Sequence, residues 1–135
     1  MVEVKVVGTL PVRAHDTDAG ADLFASELVV IAPGTVEKIP TNTRVALPDN
    51  TVGVVADKSS IGLKGLTVVG GIIDSSYRGE ISVCLANVSK EHIIIEDGQK
   101  VAQLIVYPIL LPKFVQVDSL DETKRGEGGF GSTGK

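Results

Sequence analysis

Asp74 and Tyr77 stand three residues apart in Gly70-Gly71-Ile72-Ile73-Asp74-Ser75-Ser76-Tyr77-Arg78-Gly79-Glu80, a glycine-bracketed turn between two apolar runs. A carboxylate so placed either caps the turn by bonding its own backbone or faces a pocket as a general base. The stretch alone leaves both uses open. Gly70 and Gly71 allow positive φ or close backbone approach to a ligand. Asp22, in Ala19-Gly20-Ala21-Asp22-Leu23-Phe24, has small neighbours that leave room for a ligand. Its carboxylate can hold a hard cation directly or through water. Asp16 and Asp18, just upstream, read as acids of a solvated turn.

Lys58-Ser59-Ser60, with Gly62 and Gly65, gathers a cation, two hydroxyls and backbone N–H groups in one turn. Phosphate takes that donor set, and an ordinary surface turn has the same composition. The spacing does not fit the Walker pattern. Gln103 interrupts the apolar run from Val101 to Tyr107, so its amide must find partners in the fold or face a ligand. The segment from Arg125 to Lys135 sets one Arg and one Phe among glycines and hydroxyls. It reads as a flexible linker, or as a mobile arm with a stacking face and phosphate donors. Cys84, inside Ile81-Ser82-Val83-Cys84-Leu85-Ala86-Asn87, reads as a small apolar packing group. His15 and His92 with one Cys make no zinc set.

The elements that must position these groups are strands. Val2 to Val7 alternates with period two and ends at Gly8. Leu28 to Ile31 and Thr35 to Ile39 flank Pro33-Gly34, and Asn42 to Leu47 and Thr51 to Val55 flank Pro48-Asp49-Asn50. No long 3.6-residue apolar period occurs, and short strands with turns at this spacing predict an all-β sandwich or barrel. Composition agrees: 43% of residues are hydrophobic but only 4% aromatic, a core of Val, Ile and Leu. The 135 residues make one domain. A net charge of −4 gives no broad basic surface, so no nucleic acid and no membrane is expected as partner, while a local phosphate pocket remains allowed. Val101 to Leu111 is too short and too interrupted to span a bilayer. A single Cys and a start without a basic then apolar leader make the cytoplasm the expected location.

Five separated stretches carry a family likeness: residues 19–25, Lys58-Ser59-Ser60, residues 71–80, Gly98-Gln99-Lys100-Val101-Ala102-Gln103-Leu104, and Arg125-Gly126 with Gly129-Phe130-Gly131-Ser132-Thr133-Gly134. In order and spacing the chain resembles the homotrimeric dUTP pyrophosphatases (dUTPases), from near residue 19 to the end. The resemblance implies a distorted jelly-roll and a homotrimer whose sites are shared between subunits. It implies a catalytic domain over 1–124 and a C-terminal arm over 125–135 that closes over an active site. The implied reaction is hydrolysis of dUTP to dUMP and pyrophosphate, keeping uracil out of DNA and supplying dUMP for dTMP synthesis. By the same carry-over, Asp74 activates the attacking water and Asp22 steadies Mg2+ through water. Lys58, Ser59, Ser60, Gln103, Arg125, Ser132 and Thr133 contact phosphates, and Gly131 belongs to the substrate-binding set. Tyr77 packs on deoxyribose where a 2′-hydroxyl would clash, and Phe130 stacks on uracil.

Two features depart from the family pattern. Lys58-Ser59-Ser60 stands where Arg-Ser-Gly is usual, and lysine offers a point charge in place of a planar fork. The hairpin before Gly71 is shorter and lacks a base-facing Asn, so uracil recognition falls to backbone groups of Gly71, Ile72 and Ile73. The dCTP deaminases look similar in fold but carry a catalytic Glu at the position of Cys84, which a thiol cannot replace. A non-catalytic trimeric regulatory protein is the remaining alternative.

Overall fold

The computed structural model describes residues 2–131. Its strands are β1 (Lys5–Gly8), β2 (Ala21–Phe24), β3 (Val29–Ile31), β4 (Val36–Ala46), β5 (Thr51–Ala56), β6 (Leu66–Val68), β7 (Ile72–Asp74), β8 (Glu80–Asn87), β9 (Ile93–Ile95) and β10 (Lys100–Pro108), with one helical turn, α1 (Ser59–Gly62). Two four-stranded sheets, ordered β1-β4-β8-β6 and β2-β10-β5-β7, form a β-sandwich of jelly-roll kind, and β3 pairs with β9 beside them. Every strand pairing is antiparallel.

Alternation builds the core. In β8, Ile81, Val83, Leu85 and Asn87 are buried while Ser82, Cys84 and Ala86 lie on the outer face, half-buried. Ile81, Val83 and Leu85 join Ile39 and Val45 of β4, Leu66 of β6, Val55 of β5 and Leu104 of β10 in one apolar cluster. The β-branched and leucine side chains that the composition supplies suit this interior. Buried polar groups are answered in the fold. Asn87 donates to the carbonyls of Ile31 and Glu91, both at 2.8 Å, and accepts from the N–H and hydroxyl of Ser89. Among the described residues no buried side-chain polar atom lacks a partner.

Three strand expectations change. The first strand begins at Lys5, not Val2, because Lys5 pairs with Ala46 and the chain then turns through Pro48-Asp49-Asn50, leaving residues 2–4 without a ladder. The two strands expected over 35–39 and 42–47 are one, β4, with a register shift between Pro40 and Arg44. Proline lacks a ladder donor and is tolerated at such a bulge. Asn42 takes the left-handed conformation there (φ 57°) and gives its N–H to Glu80 Oε2 at 2.7 Å. The helical turn α1 has no counterpart in the sequence pattern, being too short to show a period.

Beyond β10 the N–H of Ile109 bonds the carbonyl of Asn50 (2.9 Å), and residues 110–131 add no strand. Leu110, Phe114 and Leu120 on this segment are 90%, 90% and 84% exposed.

Candidate active site

Strand β7 is the open edge of its sheet, and Asp74 ends it. After Asp74 the chain turns tightly: the N–H of Tyr77 donates to the Asp74 carbonyl (3.1 Å), and Arg78 donates to the Ser75 carbonyl (2.7 Å). Arg44 of β4 holds the turn from outside by bonding the Arg78 carbonyl (3.0 Å). The turn therefore closes on backbone carbonyls, with donors from one N–H and two guanidinium groups and none of them on the Asp74 carboxylate. Asp74 is exposed, and among the described residues its carboxylate accepts no hydrogen bond from the chain. It lines a cleft of about 280 Å³ with Lys38, Ile72, Tyr77, Glu80 and Ser82. The carboxylate therefore does not cap the turn that it ends.

Tyr77 is pinned by its hydroxyl, which donates to the Glu80 carbonyl at 2.8 Å. The ring lies over Gly79, where any Cβ would overlap it. One face of the ring is thus fixed against the backbone and the residue is 45% exposed, a rigid wall beside Asp74.

Gly71 is where two backbones touch. Its carbonyl accepts the Val55 N–H at 2.7 Å, and a Cβ would overlap the Val55 carbonyl oxygen. With Val54 opposite Ile72 and Gly53 opposite Ile73, the antiparallel alternation turns the N–H and C=O of Ile73 toward β5. It turns those of Ile72 to the open edge.

A second group sits at the other edge of the same sheet. Asp22 in β2 is 3% exposed. Lys58 Nζ lies 2.5 Å from its Oδ1 and Lys100 Nζ 3.4 Å from its Oδ2. Burial pushes the Asp22 carboxyl up, but the hydrogen bonds and charges of Lys58 and Lys100 outweigh it and hold the group below its ordinary value. Ser59 and Ser60, both exposed, open α1, whose first N–H groups have no partner within the helix. Gln103 pairs with Asp22 on one side and Ala56 on the other. Its Nε2 donates to the Asp57 carbonyl (2.8 Å), and its side chain fills the space left by Gly20, where a Cβ would overlap it. The amide thus has partners within the fold, and one Nε2 proton remains for a ligand.

The two groups are far apart within one chain. Asp22 shares a row with Gln103 and Ala56, and Asp74 shares one with Val52, which pairs with Tyr107. The rows lie four residues apart along β5 and β10, and the two acids lie three strands apart. At roughly 3.3 Å per residue and about 4.8 Å per strand, Asp22 and Asp74 are on the order of 20 Å from each other. Arg125 Nε bonds the Gly128 carbonyl (2.7 Å) in its own turn, and Phe130 (φ 49°) is fully exposed, against neither group. Gly131 is exposed as well, and Ser132 and Thr133 lie outside the described residues.

The donor set tests what cation it suits. Both oxygens of Asp22 face ammonium groups, and among the described residues no three His, Cys, Asp or Glu side chains cluster to hold a metal. That does not suit a cation bound by protein alone. Magnesium asks less of the protein, since it keeps most of its waters and binds through one or two carboxylates plus phosphate oxygens, and Asp22 could meet it only through water.

Sequence reading missed Lys100 and Asp57, which hold Asp22 and the Lys58 turn. Lys100 stands just before the apolar run from Val101 to Tyr107, but only the pairing of β10 with β2 brings it to Asp22.

Comparison with known proteins agrees across the chain. The dUTPase family model matches residues 7–134. The deoxyuridine 5'-triphosphate nucleotidohydrolase of Alkaliphilus metalliredigens is 48% identical over 128 residues, spanning 93% of this chain and 89% of that protein. The enzyme of the same name from Corynebacterium diphtheriae is 49% identical over 129 residues, spanning 93% and 85%. Among solved structures, a mutant dUTPase of Staphylococcus bacteriophage 80alpha with dUpNHpp superposes with a TM-score of 0.91 at 28% identity, covering 98% of this chain and 99% of that one. A mutant dUTPase from phage phi11 of S. aureus, described for its coordination of a structural Mg(II) ion, gives 0.81 at 27% identity, covering 87% and 98%.

Proposed function

This chain belongs to the dUTPase family, and on that premise we propose how a dUTP diphosphatase with these residues works: water attacks the α-phosphorus of dUTP, releasing dUMP and pyrophosphate. The observation that carries the mechanism is the exposed Asp74 carboxylate, free of the turn it ends and facing a cleft. Asp74 accepts a proton from water as the water oxygen bonds to the α-phosphorus. The bond from that phosphorus to the bridging oxygen breaks, and pyrophosphate leaves. A positioned general base supplies on the order of 10² to 10⁴ in rate. Magnesium, when bound, neutralises charge on the triphosphate oxygens. Asp22 would hold it through water, and Lys58, freed from Asp22, would turn to phosphate oxygens with Ser59, Ser60 and the remaining Gln103 proton.

Ile72, with its N–H and C=O on the open edge, offers one donor and one acceptor to the edge of uracil. That pair suits the O4 and N3–H of the base. Tyr77, fixed over Gly79, would exclude a ribose 2′-hydroxyl by contact.

The separation of Asp22 from Asp74 supports a homotrimer with shared sites. One triphosphate cannot meet two groups on the order of 20 Å apart on one chain, so Asp74 of one subunit would act on a nucleotide held by the Lys58 turn of another. The apolar side chains Leu110, Leu111, Phe114 and Val117, more than half exposed, are further surface for such an assembly to cover. Residues 125–135 would close the site, with Arg125, Ser132 and Thr133 on phosphate and Phe130 on the base. The product dUMP would serve dTMP synthesis in the cytoplasm, and no described helix is long and apolar enough to cross a membrane.

The test is incubation with magnesium and dUTP, dCTP, dTTP or UTP while following pyrophosphate and ammonia. Pyrophosphate from dUTP alone is expected. Ammonia from dCTP would overturn the assignment, and brisk hydrolysis of dTTP would show that the short hairpin has relaxed base selection.

A further inference from the structure

Asp57 precedes the Lys58 turn and is used three times over. Its Oδ1 accepts the Val68 N–H at 2.6 Å, its Oδ2 accepts the Thr67 hydroxyl at 3.2 Å, and its carbonyl accepts Gln103 Nε2 at 2.8 Å. Asp57 follows β5, in one sheet, while Thr67 and Val68 belong to β6, in the other. Residues 58–65 between them form the loop that carries Lys58, Ser59 and Ser60.

The two ends of this loop are anchored separately. Ala56 pairs with Gln103 on β10, and Leu66, Thr67 and Val68 pair with Asn87, Ala86 and Leu85 on β8. Leu66 is buried besides. Within the loop, by contrast, Ser59, Ser60, Leu63 and Lys64 are exposed, and Ile61 alone is buried. The carboxylate of Asp57 therefore ties strands of two different sheets across the mouth of the loop and fixes the spacing between the loop's ends. A charge-assisted hydrogen bond as short as that to Val68 is among the stronger kinds.

We propose that Asp57 is a positioning residue for the phosphate-binding groups: its carboxylate clasps the base of the 58–65 loop and sets where Lys58, Ser59 and Ser60 meet a triphosphate. The inference rests on the reading of the Lys58 turn as a phosphate site. β6 is held by β8 with or without Asp57, so the edge of Ile72 keeps its place when the clasp is lost. The effect belongs to phosphate and not to the base.

The experiment compares binding of dUpNHpp with magnesium and binding of deoxyuridine, by calorimetry, in the full chain and in Asp57→Ala, Asp57→Asn and Thr67→Val, beside kcat and KM for dUTP. Asp57→Ala should weaken dUpNHpp about 10- to 100-fold, the scale of a misplacement near 1 Å, while deoxyuridine affinity stays within about twofold. Asp57→Asn keeps a carbonyl acceptor for Val68 and should recover most of the loss. The loss in turnover should fall chiefly in KM. Equal losses for both ligands, or none for dUpNHpp, would overturn the proposal. Should Asp57→Ala not fold, Thr67→Val decides alone: a loss of about twofold or more confined to dUpNHpp supports the clasp, and unchanged affinity refutes it. A parent protein that releases no pyrophosphate from dUTP would instead sink the functional reading.

Discussion

At the scale of single residues, the proposed chemistry rests on the free carboxylate of Asp74 and the fixed ring of Tyr77. Asp74→Asn keeps the shape but cannot accept a proton, so turnover should fall about 10²-fold or more while dUpNHpp binding persists. A variant keeping more than about half the parent rate would return Asp74 to the role of a turn residue. Tyr77→Ala removes the wall against a 2′-hydroxyl, and the ratio of kcat/KM for dUTP over UTP should drop. An unchanged ratio would place sugar discrimination elsewhere. Asp22 adds a pH signature. Its carboxyl is held below the reference value of 3.8, so its ionised form adds stability that is present above that value and lost as pH falls through the folded value. Asp22→Asn should lower Tm at neutral pH, and the gap should close toward parent at the acid end of a thermal melt series, where Asp22 is protonated.

At the scale of elements, the site depends on how closely β7 rides on β5. Gly71 permits that approach because its missing Cβ leaves room for the Val55 carbonyl. Gly71→Ala must push the two strands apart or break the bond from the Val55 N–H, at a cost of about 1–3 kcal/mol, the range of overpacking. Chemical denaturation should read that loss directly. The same substitution shifts the Ile72 edge, so discrimination between dUTP and dCTP should weaken in parallel. Stability lost with discrimination intact would mean that the base is not read at Ile72.

At the scale of the whole molecule, among the described residues the last strand ends at Pro108 and the apolar cluster draws on no residue beyond Val106. If the glycine-rich segment 125–135 orders over bound nucleotide as proposed, it loses roughly 1–2 kcal/mol per residue in backbone entropy, which stacking on Phe130 and charged contacts from Arg125 would offset. Deleting residues 125–135 should leave sedimentation and Tm nearly unchanged and lower dUTP turnover by orders of magnitude, because closure is lost. Full activity without this segment, or collapse to monomer, would each refute the division of roles. If sites are shared between the subunits of a homotrimer as proposed, sedimentation of the intact protein should report a three-chain species, and a monomer would refute the sharing.

What the sequence determined by itself was local. Period-two alternation over Val2 to Val7, the turns at Pro33-Gly34 and Pro48-Asp49-Asn50, and the absence of a helical period made the fold all-β, because each signal lies within a few residues. The glycine-bracketed turn at Asp74 was legible for the same reason. The tertiary structure decided what depends on pairing between distant segments. It fused two expected strands into β4 around a bulge that Asn42 and Glu80 hold together. It placed Lys58 and Lys100 on the Asp22 carboxylate, engaged Gln103 with Asp57 across 46 residues, and turned Ile72 rather than Ile73 to the open edge. It also set Asp22 and Asp74 at opposite edges of one sheet. Register is a relation between strands, so no single stretch of sequence contains it.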